Sequence, residues 1–152
     1  FLGDQIGIIG WMFLKLLEII YSVYDTKAVK FRFLDSSNAT INTGYSVAFV
    51  TLKANTSFSD DYGNLTQAPF TVYKLNGTGE QANGILYIFS ANNASEYTHY
   101  TQEISYLNNS GVLTGNQGGG GLTSAEVTKG VSIFMSGGNI TAGTFTLYGL
   151  KK

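Results

Sequence analysis

Residues 28–34 read AVKFRFL, a stretch in which apolar and charged side chains alternate. Val29, Phe31 and Phe33 fall on one face of an extended chain, and the two basic residues fall on the other. Because the side chains of a β-strand point alternately to its two faces, this period of two indicates a strand with one buried face. The stretch therefore predicts a sheet that covers a core on one side and meets water on the other.

Further strand patterns, separated by turn-forming residues, continue along the chain. Predicted strands cover residues 45–52, 70–75, 84–90, 97–107, 131–136 and 144–150. Residues 84–90, GILYIFS, are apolar on both faces, which is typical of an inner strand. Residues 54–68 predict a loop, and GNQGGGG at 115–121 predicts a long loop within the domain. About eight strands at this spacing predict an all-β antiparallel β-sandwich with jelly-roll-like connections.

The apolar run at residues 6–24, IGIIGWMFLKLLEIIYSVY, fits more than one structure. Lys15 and Glu18 lie in its middle, and each central charge in a membrane helix costs about 2.5–3.5 kcal/mol, so no membrane span is expected. Its leucines favour a helix, but both faces of a strand would also be covered, so the residues alone leave helix and strand open. The predicted organisation is an N-terminal arm at 1–10 and a single sandwich domain at 11–152.

The composition indicates a domain that works outside a cell or on a particle. Only 12% of the 152 residues are charged, against roughly 25% in average proteins, and Asn, Thr, Ser, Gly and ten Tyr supply the polarity. The net charge is −1 and the basic residues are scattered, which excludes the clustered basic patch that a nucleic-acid partner requires. The chain has no cysteine, so disulfides and thiolate chemistry are excluded.

Few residues could carry catalysis or bind a metal. His99, the only histidine, lies in a strand-like segment, and a strand histidine on a polar face is favoured over a general base. Asp60 and Asp61 are adjacent and point apart in an extended chain, which does not suit a catalytic carboxylate pair. With Asn64 they lack the spacing of a calcium loop. The sequence predicts no enzymatic activity, no cofactor and no metal site.

Aromatic residues within 97–107 form the candidate contact surface. Aromatic rings can stack on the apolar faces of sugars while offering a polar tip. The candidate contacts for a glycan or a partner are Tyr97, His99, Tyr100 and Tyr106. A place in the core is the competing interpretation for half of the tyrosines.

Seven N-x-[ST] sequons also occur, at Asn38, Asn55, Asn64, Asn76, Asn93, Asn108 and Asn139. On a secreted chain such sequons carry glycans, whereas in a chain this rich in Asn, Ser and Thr several arise by chance.

The last third of the chain contains the most specific string. Residues 137–150, GGNITAGTFTLYGL, resemble the C-terminal part of a β-sandwich domain that recurs in virion proteins of tailed phages. Such proteins often end in a string like GNIxxGTFxLYGL. The stretch YTH at 97–99 and, more weakly, residues 28–45 are similar to earlier strands of that family. The matching residues are Gly138, Asn139, Ile140, Gly143, Thr144, Phe145, Leu147, Tyr148, Gly149 and Leu150.

The resemblance implies an extracellular virion protein, either a tail-fibre or spike tip or a capsid decoration. It also implies a strand at residues 11–23, other virion proteins as partners and attachment to host-surface carbohydrate. Fibre tips are commonly threefold, and residues 6–24 and 84–90 are apolar on both faces, so a homo-oligomer, with a trimer as the leading form, is expected. The alternative is a secreted or cell-surface adhesin or pilus-like subunit, N-glycosylated at the sequons.

Overall fold

The computed structural model describes residues 5–7, 11–16, 21–22, 26–55, 57–71 and 81–150. These ranges contain thirteen β-strands and no helix, so they hold no helix that could cross a membrane. The strands are β1 (Gln5–Gly7), β2 (Trp11–Leu16), β3 (Tyr21–Ser22), β4 (Val29–Leu34), β5 (Tyr45–Lys53), β6 (Phe58–Leu65), β7 (Ala68–Pro69), β8 (Asn83–Phe89), β9 (Tyr97–Leu107), β10 (Leu113–Ala125), β11 (Gly130–Met135), β12 (Ile140–Ala142) and β13 (Phe145–Leu150).

The strands form two large antiparallel sheets and one small one. The seven-stranded sheet has the order β13-β2-β8-β9-β10-β5-β6, and the four-stranded sheet has the order β1-β11-β4-β7. Strands β12 and β3 form a separate pair. The chain crosses directly from one large sheet to the other after β1, β4, β6, β7 and β10. The predicted all-β fold with antiparallel sheets packed as a β-sandwich is confirmed.

Aromatic rings from both large sheets meet in the core. Val29, Phe31 and Phe33 of β4 are buried, as their alternation predicted. Phe31 lies edge-on to Tyr100 of β9, with 4.9 Å between ring centroids. Phe33 stacks on Tyr45 of β5 at 6.0 Å. Since β4 belongs to the four-stranded sheet and both tyrosines to the seven-stranded sheet, these contacts hold the sheets together.

The hydroxyl of Tyr45 links the two sheets by hydrogen bonds as well. It accepts from the backbone N–H of Phe33 at 2.7 Å and donates to the carbonyl of Ile41 at 3.0 Å. Burial raises the pKa of Tyr45 above its ordinary value, because the charged phenolate would lose its hydration. The buried N–H of Phe33 thereby has a partner, which a buried donor requires.

Two segments with loop-like composition are strands, so both loop predictions are wrong. Within 54–68, β6 pairs with β5 over its whole length and forms an edge of the seven-stranded sheet. Its Asp, Gly and Asn residues suit a turn, but charged residues are also common on edge strands, where they oppose pairing with other chains. The run at 115–121 lies inside β10, between β9 and β5.

Other predicted strands are confirmed where the structure describes them. β8 lies between β2 and β9, so the segment 84–90 is an inner strand. Trp11–Leu16 is strand rather than helix, whereas residues 17–20 and 23 of that prediction lie outside the described residues. Gln5–Gly7, in the predicted arm, pairs with β11. Most of the predicted strand at 70–75 lies outside the described residues, which end at 71 there.

Candidate functional site

Strand β9 alternates strictly between the core and the outer face of the seven-stranded sheet. This alternation follows from the period of two in a strand and extends over ten consecutive residues. The inward residues are Thr98, Tyr100, Gln102, Ile104 and Tyr106, and the outward residues are Tyr97, His99, Thr101, Glu103 and Ser105. The four candidate contact residues are therefore divided between two faces.

Tyr100 and Tyr106 lie in the core, which corrects their prediction as glycan contacts. They are 2% and 1% exposed, so a ligand on the surface cannot reach either ring. Burial raises the pKa of Tyr100 above its ordinary value. The hydroxyl of Tyr106 donates to Oδ1 of the buried Asn116 at 3.2 Å. The shared parity of positions 100 and 106, opposite to that of 97 and 99, is the signal in the sequence that separates the two pairs.

Tyr97 and His99 are exposed together on the outer face. Tyr97 is 49% exposed, and its ring centroid lies 6.3 Å from that of His99 at an interplanar angle of 60°. Phe89 of β8 is the register partner of His99, and Tyr87 is the partner of Thr101. Cross-strand partners share a face of the sheet, so aromatic side chains from two neighbouring strands lie side by side here.

A groove of about 700 Å³, which we call the aromatic groove, lies beside this pair. Its floor is the outward side of β10 at Gly119, and at one end the His99 side chain lies against the buried Gly121. One wall is β9, with Tyr97 and His99, and the other is β5, with Ser46 and Ala48. The complete lining is Ser46, Val47, Ala48, Tyr97, His99, Tyr100, Thr101, Gly119, Gly120, Gly121, Leu122 and Thr123, which includes no Asp, Glu, Lys or Arg.

Glycine is required on both sides of β10 in this region. A Cβ on Gly119 would lie 2.3 Å from the carbonyl oxygen of Tyr100, and one on Gly121 would lie 2.8 Å from Nδ1 of His99. A Cβ on Gly120 would lie 2.8 Å from the hydroxyl oxygen of Tyr100 on the inner side. The glycine run therefore admits the Tyr100 ring to the core, and on the outside it allows the His99 ring to lie against Gly121.

A second groove of about 510 Å³, the distal groove, lies further along the same face. Gly115 of β10 forms part of its floor, with Ile85 and Ser105 beside it. Gln117 and Glu103 also line the distal groove, and Nε2 of Gln117 donates to Oε1 of Glu103 at 3.0 Å. These residues are register partners on β10 and β9, so their hydrogen bond spans the two strands.

No group of three His, Asp or Glu side chains that could hold a metal occurs among the described residues. Asp60 lies on the edge strand β6 rather than in the predicted loop. Glu126 accepts a hydrogen bond from the hydroxyl of Ser124 at 2.8 Å.

The sequons differ in accessibility. Asn108 is buried, and its Oδ1 accepts from the backbone N–H groups of Ser110 at 2.9 Å and Val112 at 3.1 Å. Asn93 is half-buried, and Asn76 lies outside the described residues. The exposed sequon residues are Asn38, Asn55, Asn64 and Asn139.

No protein-family model, curated protein or solved structure matches this chain.

Proposed function

We propose that this chain is a non-enzymatic structural domain of a virus particle that attaches to host-surface carbohydrate. In this proposal it forms a tail-fibre or spike tip or a capsid decoration. The observation that supports attachment is the aromatic groove, an uncharged trough beside the exposed ring of Tyr97. The resemblance of residues 137–150 to virion proteins of tailed phages supports the place in a particle.

The lining of the aromatic groove suits a sugar better than a peptide. The floor strand β10 is paired with β9 on one side and β5 on the other, so its backbone groups are already used in the sheet. An extended peptide on this floor would find no backbone partners for its own N–H and C=O groups. A saccharide can stack an apolar face on Tyr97 and reach the side chains of His99, Thr101 and Ser46 with its hydroxyl groups.

We expect Tyr97→Ala to weaken binding of host-surface glycans about tenfold or more, equivalent to about 1.4 kcal/mol at 25 °C. Half of the ring is exposed, so the change should alter the free energy of unfolding by no more than about 0.5 kcal/mol. Binding is measured on a glycan array and then by calorimetry with the saccharides that the wild type binds.

Tyr148→Ala is the matched control, because Tyr148 is 44% exposed and lies on β13, at the far edge of the same sheet. It should leave glycan binding unchanged. If both variants bind as the wild type does, or if the wild type binds no saccharide, the proposed attachment site is wrong.

An apolar corner of the same sheet supports the proposed homo-oligomer. It consists of Leu52, Phe58 and Leu113, which are 51%, 70% and 57% exposed. Leu52 of β5 is the register partner of Phe58 on β6 and of Gly115 on β10. Leu113 lies two residues before Gly115, so the side chains of Leu52, Phe58 and Leu113 share the outer face. Exposed large apolar side chains that cluster in this way are typical of a protein–protein contact. Leu52 also lines the distal groove, so this contact would border that groove.

We expect light scattering at micromolar concentration to give the mass of an oligomer, with a trimer as the proposed state. Phe58→Ser should shift the protein toward the monomer, because it removes an apolar ring that is 70% exposed. Thermal unfolding of the variant serves as the control for folding. A monomeric wild type under these conditions would contradict the oligomer.

The four exposed sequons favour a second candidate function, a glycosylated secreted or cell-surface adhesin or pilus-like subunit. The intact mass of the native protein separates the two candidates. An unmodified mass supports the virion component, whereas added hexose mass supports the surface subunit.

A further inference from the structure

We propose that the aromatic groove and the distal groove together form one track for a linear, uncharged oligosaccharide, whose chain would cross the Gln117–Glu103 pair. The inference rests on the proposed carbohydrate binding in the aromatic groove and extends it to the length and charge of the ligand.

The outward positions of β10 run along both grooves. They are occupied by Gly115, Gln117, Gly119 and Gly121, so three of the four carry no side chain. The pairing of β10 with β9 runs in register from 113 to 121, and its irregularity lies beyond Gly121. At about 3.3 Å per residue, the six steps from Gly115 to Gly121 span about 20 Å.

The Gln117–Glu103 pair crosses the track near its middle. A carboxylate accepts hydrogen bonds and an amide both donates and accepts them, so the pair can bind hydroxyl groups of either orientation. Both side chains are exposed on the outer face and bridge neighbouring strands, with a glycine of β10 two residues away on each side. A chain lying along β10 would therefore contact the pair between its two ends.

The charges along the track select the class of saccharide. Glu103 contributes a negative charge, and no Lys or Arg is among the described residues that line either groove. An acidic sugar would be repelled by the carboxylate, and the described lining of the two grooves provides no Lys or Arg to offset that repulsion. The track is therefore suited to neutral sugars.

Gly115→Thr tests the distal half without disturbing the fold. A Cβ on Gly115 meets only the carbonyl oxygen of Ile104, at 3.7 Å, so a side chain is accommodated and projects into the distal groove. Gly149→Thr is the matched control, because a Cβ on Gly149, on the edge strand β13, has no neighbour within 4 Å. Thermal unfolding verifies that both variants fold.

The wild type is first screened on an array of neutral and acidic glycans. The probes are then neutral linear oligosaccharides of the series that it binds, from the disaccharide upward. We expect the affinity of the wild type to rise with chain length by about tenfold before it levels off. Gly115→Thr should abolish this rise, whereas Gly149→Thr should retain it.

The results that would overturn the inference are distinguishable from those that would overturn the proposed function. If Tyr97→Ala weakens binding but affinity is independent of chain length, or Gly115→Thr retains the rise, the track is wrong and the aromatic groove stands alone. If the wild type binds only acidic saccharides, the track is wrong. If the wild type binds no saccharide, the track and the proposed function are both wrong.

Discussion

Gly119→Ala is expected to destabilise the protein by more than about 4 kcal/mol and to prevent folding if the wild type is only marginally stable. The added methyl group would lie 2.3 Å from the carbonyl oxygen of Tyr100. That oxygen belongs to the backbone of β9, so the clash can be relieved only by separating β9 from β10. Urea unfolding followed by circular dichroism measures the effect.

Gly115→Ala is the control in the same strand. Its Cβ would meet only one atom, at an ordinary van der Waals distance of 3.7 Å, and glycine within a strand is less stable than alanine by roughly 0.5–1 kcal/mol. This variant should be neutral or slightly stabilising. Similar small effects at positions 115 and 119 would show that the close approach of β9 to β10 is not a constraint on the sequence.

Phe31→Ala is expected to cost about 3–5 kcal/mol in the free energy of unfolding, the usual range for removing a buried phenylalanine ring. Phe31 is 1% exposed and lies edge-on to three rings, those of Phe33, Phe70 and Tyr100. Its loss would leave a cavity between the two large sheets, where the surrounding backbone is fixed by strand pairing. Equilibrium denaturation gives the value.

Phe134→Ala is the comparison for that experiment. Phe134 lies on the neighbouring strand β11, is half-buried, and carries the Arg32 guanidinium 5.0 Å above its ring. Its removal should cost about 1 kcal/mol, since an exposed cation–π contact contributes about 0.5–1 kcal/mol. Equal losses for the two variants would contradict the assignment of Phe31 to the centre of the core.

The sequence predicts those parts of the fold that depend on local alternation. β4 and β9 are examples, because each has one face that is consistently buried and residues two apart reveal it. β10 could not be recognised in this way. Its glycines have no side chains to show a period, and they are accommodated in a strand because β9 and β5 approach closely on both sides.

The sequence predicts only part of the candidate site, because only part of it depends on local alternation. Tyr97 and His99 lie on the surface and next to each other, as a two-residue spacing in a strand requires. The groove beside them depends on the register that places Gly121 opposite His99 and Gly119 opposite Thr101. That register joins segments far apart in the chain, so no local pattern specifies it.

The glycine floor also has a thermodynamic consequence for any molecule that lies on it. Binding sites lined by long side chains lose rotamer freedom when a ligand arrives, at a cost of about 0.5–1.5 kcal/mol for each side chain that becomes immobilised. Gly119 and Gly121 have no rotamers to lose, and their backbone is held by hydrogen bonds to strands on both sides. At these two positions a bound molecule would therefore order no side chain, and the backbone is preorganised by its strand pairing.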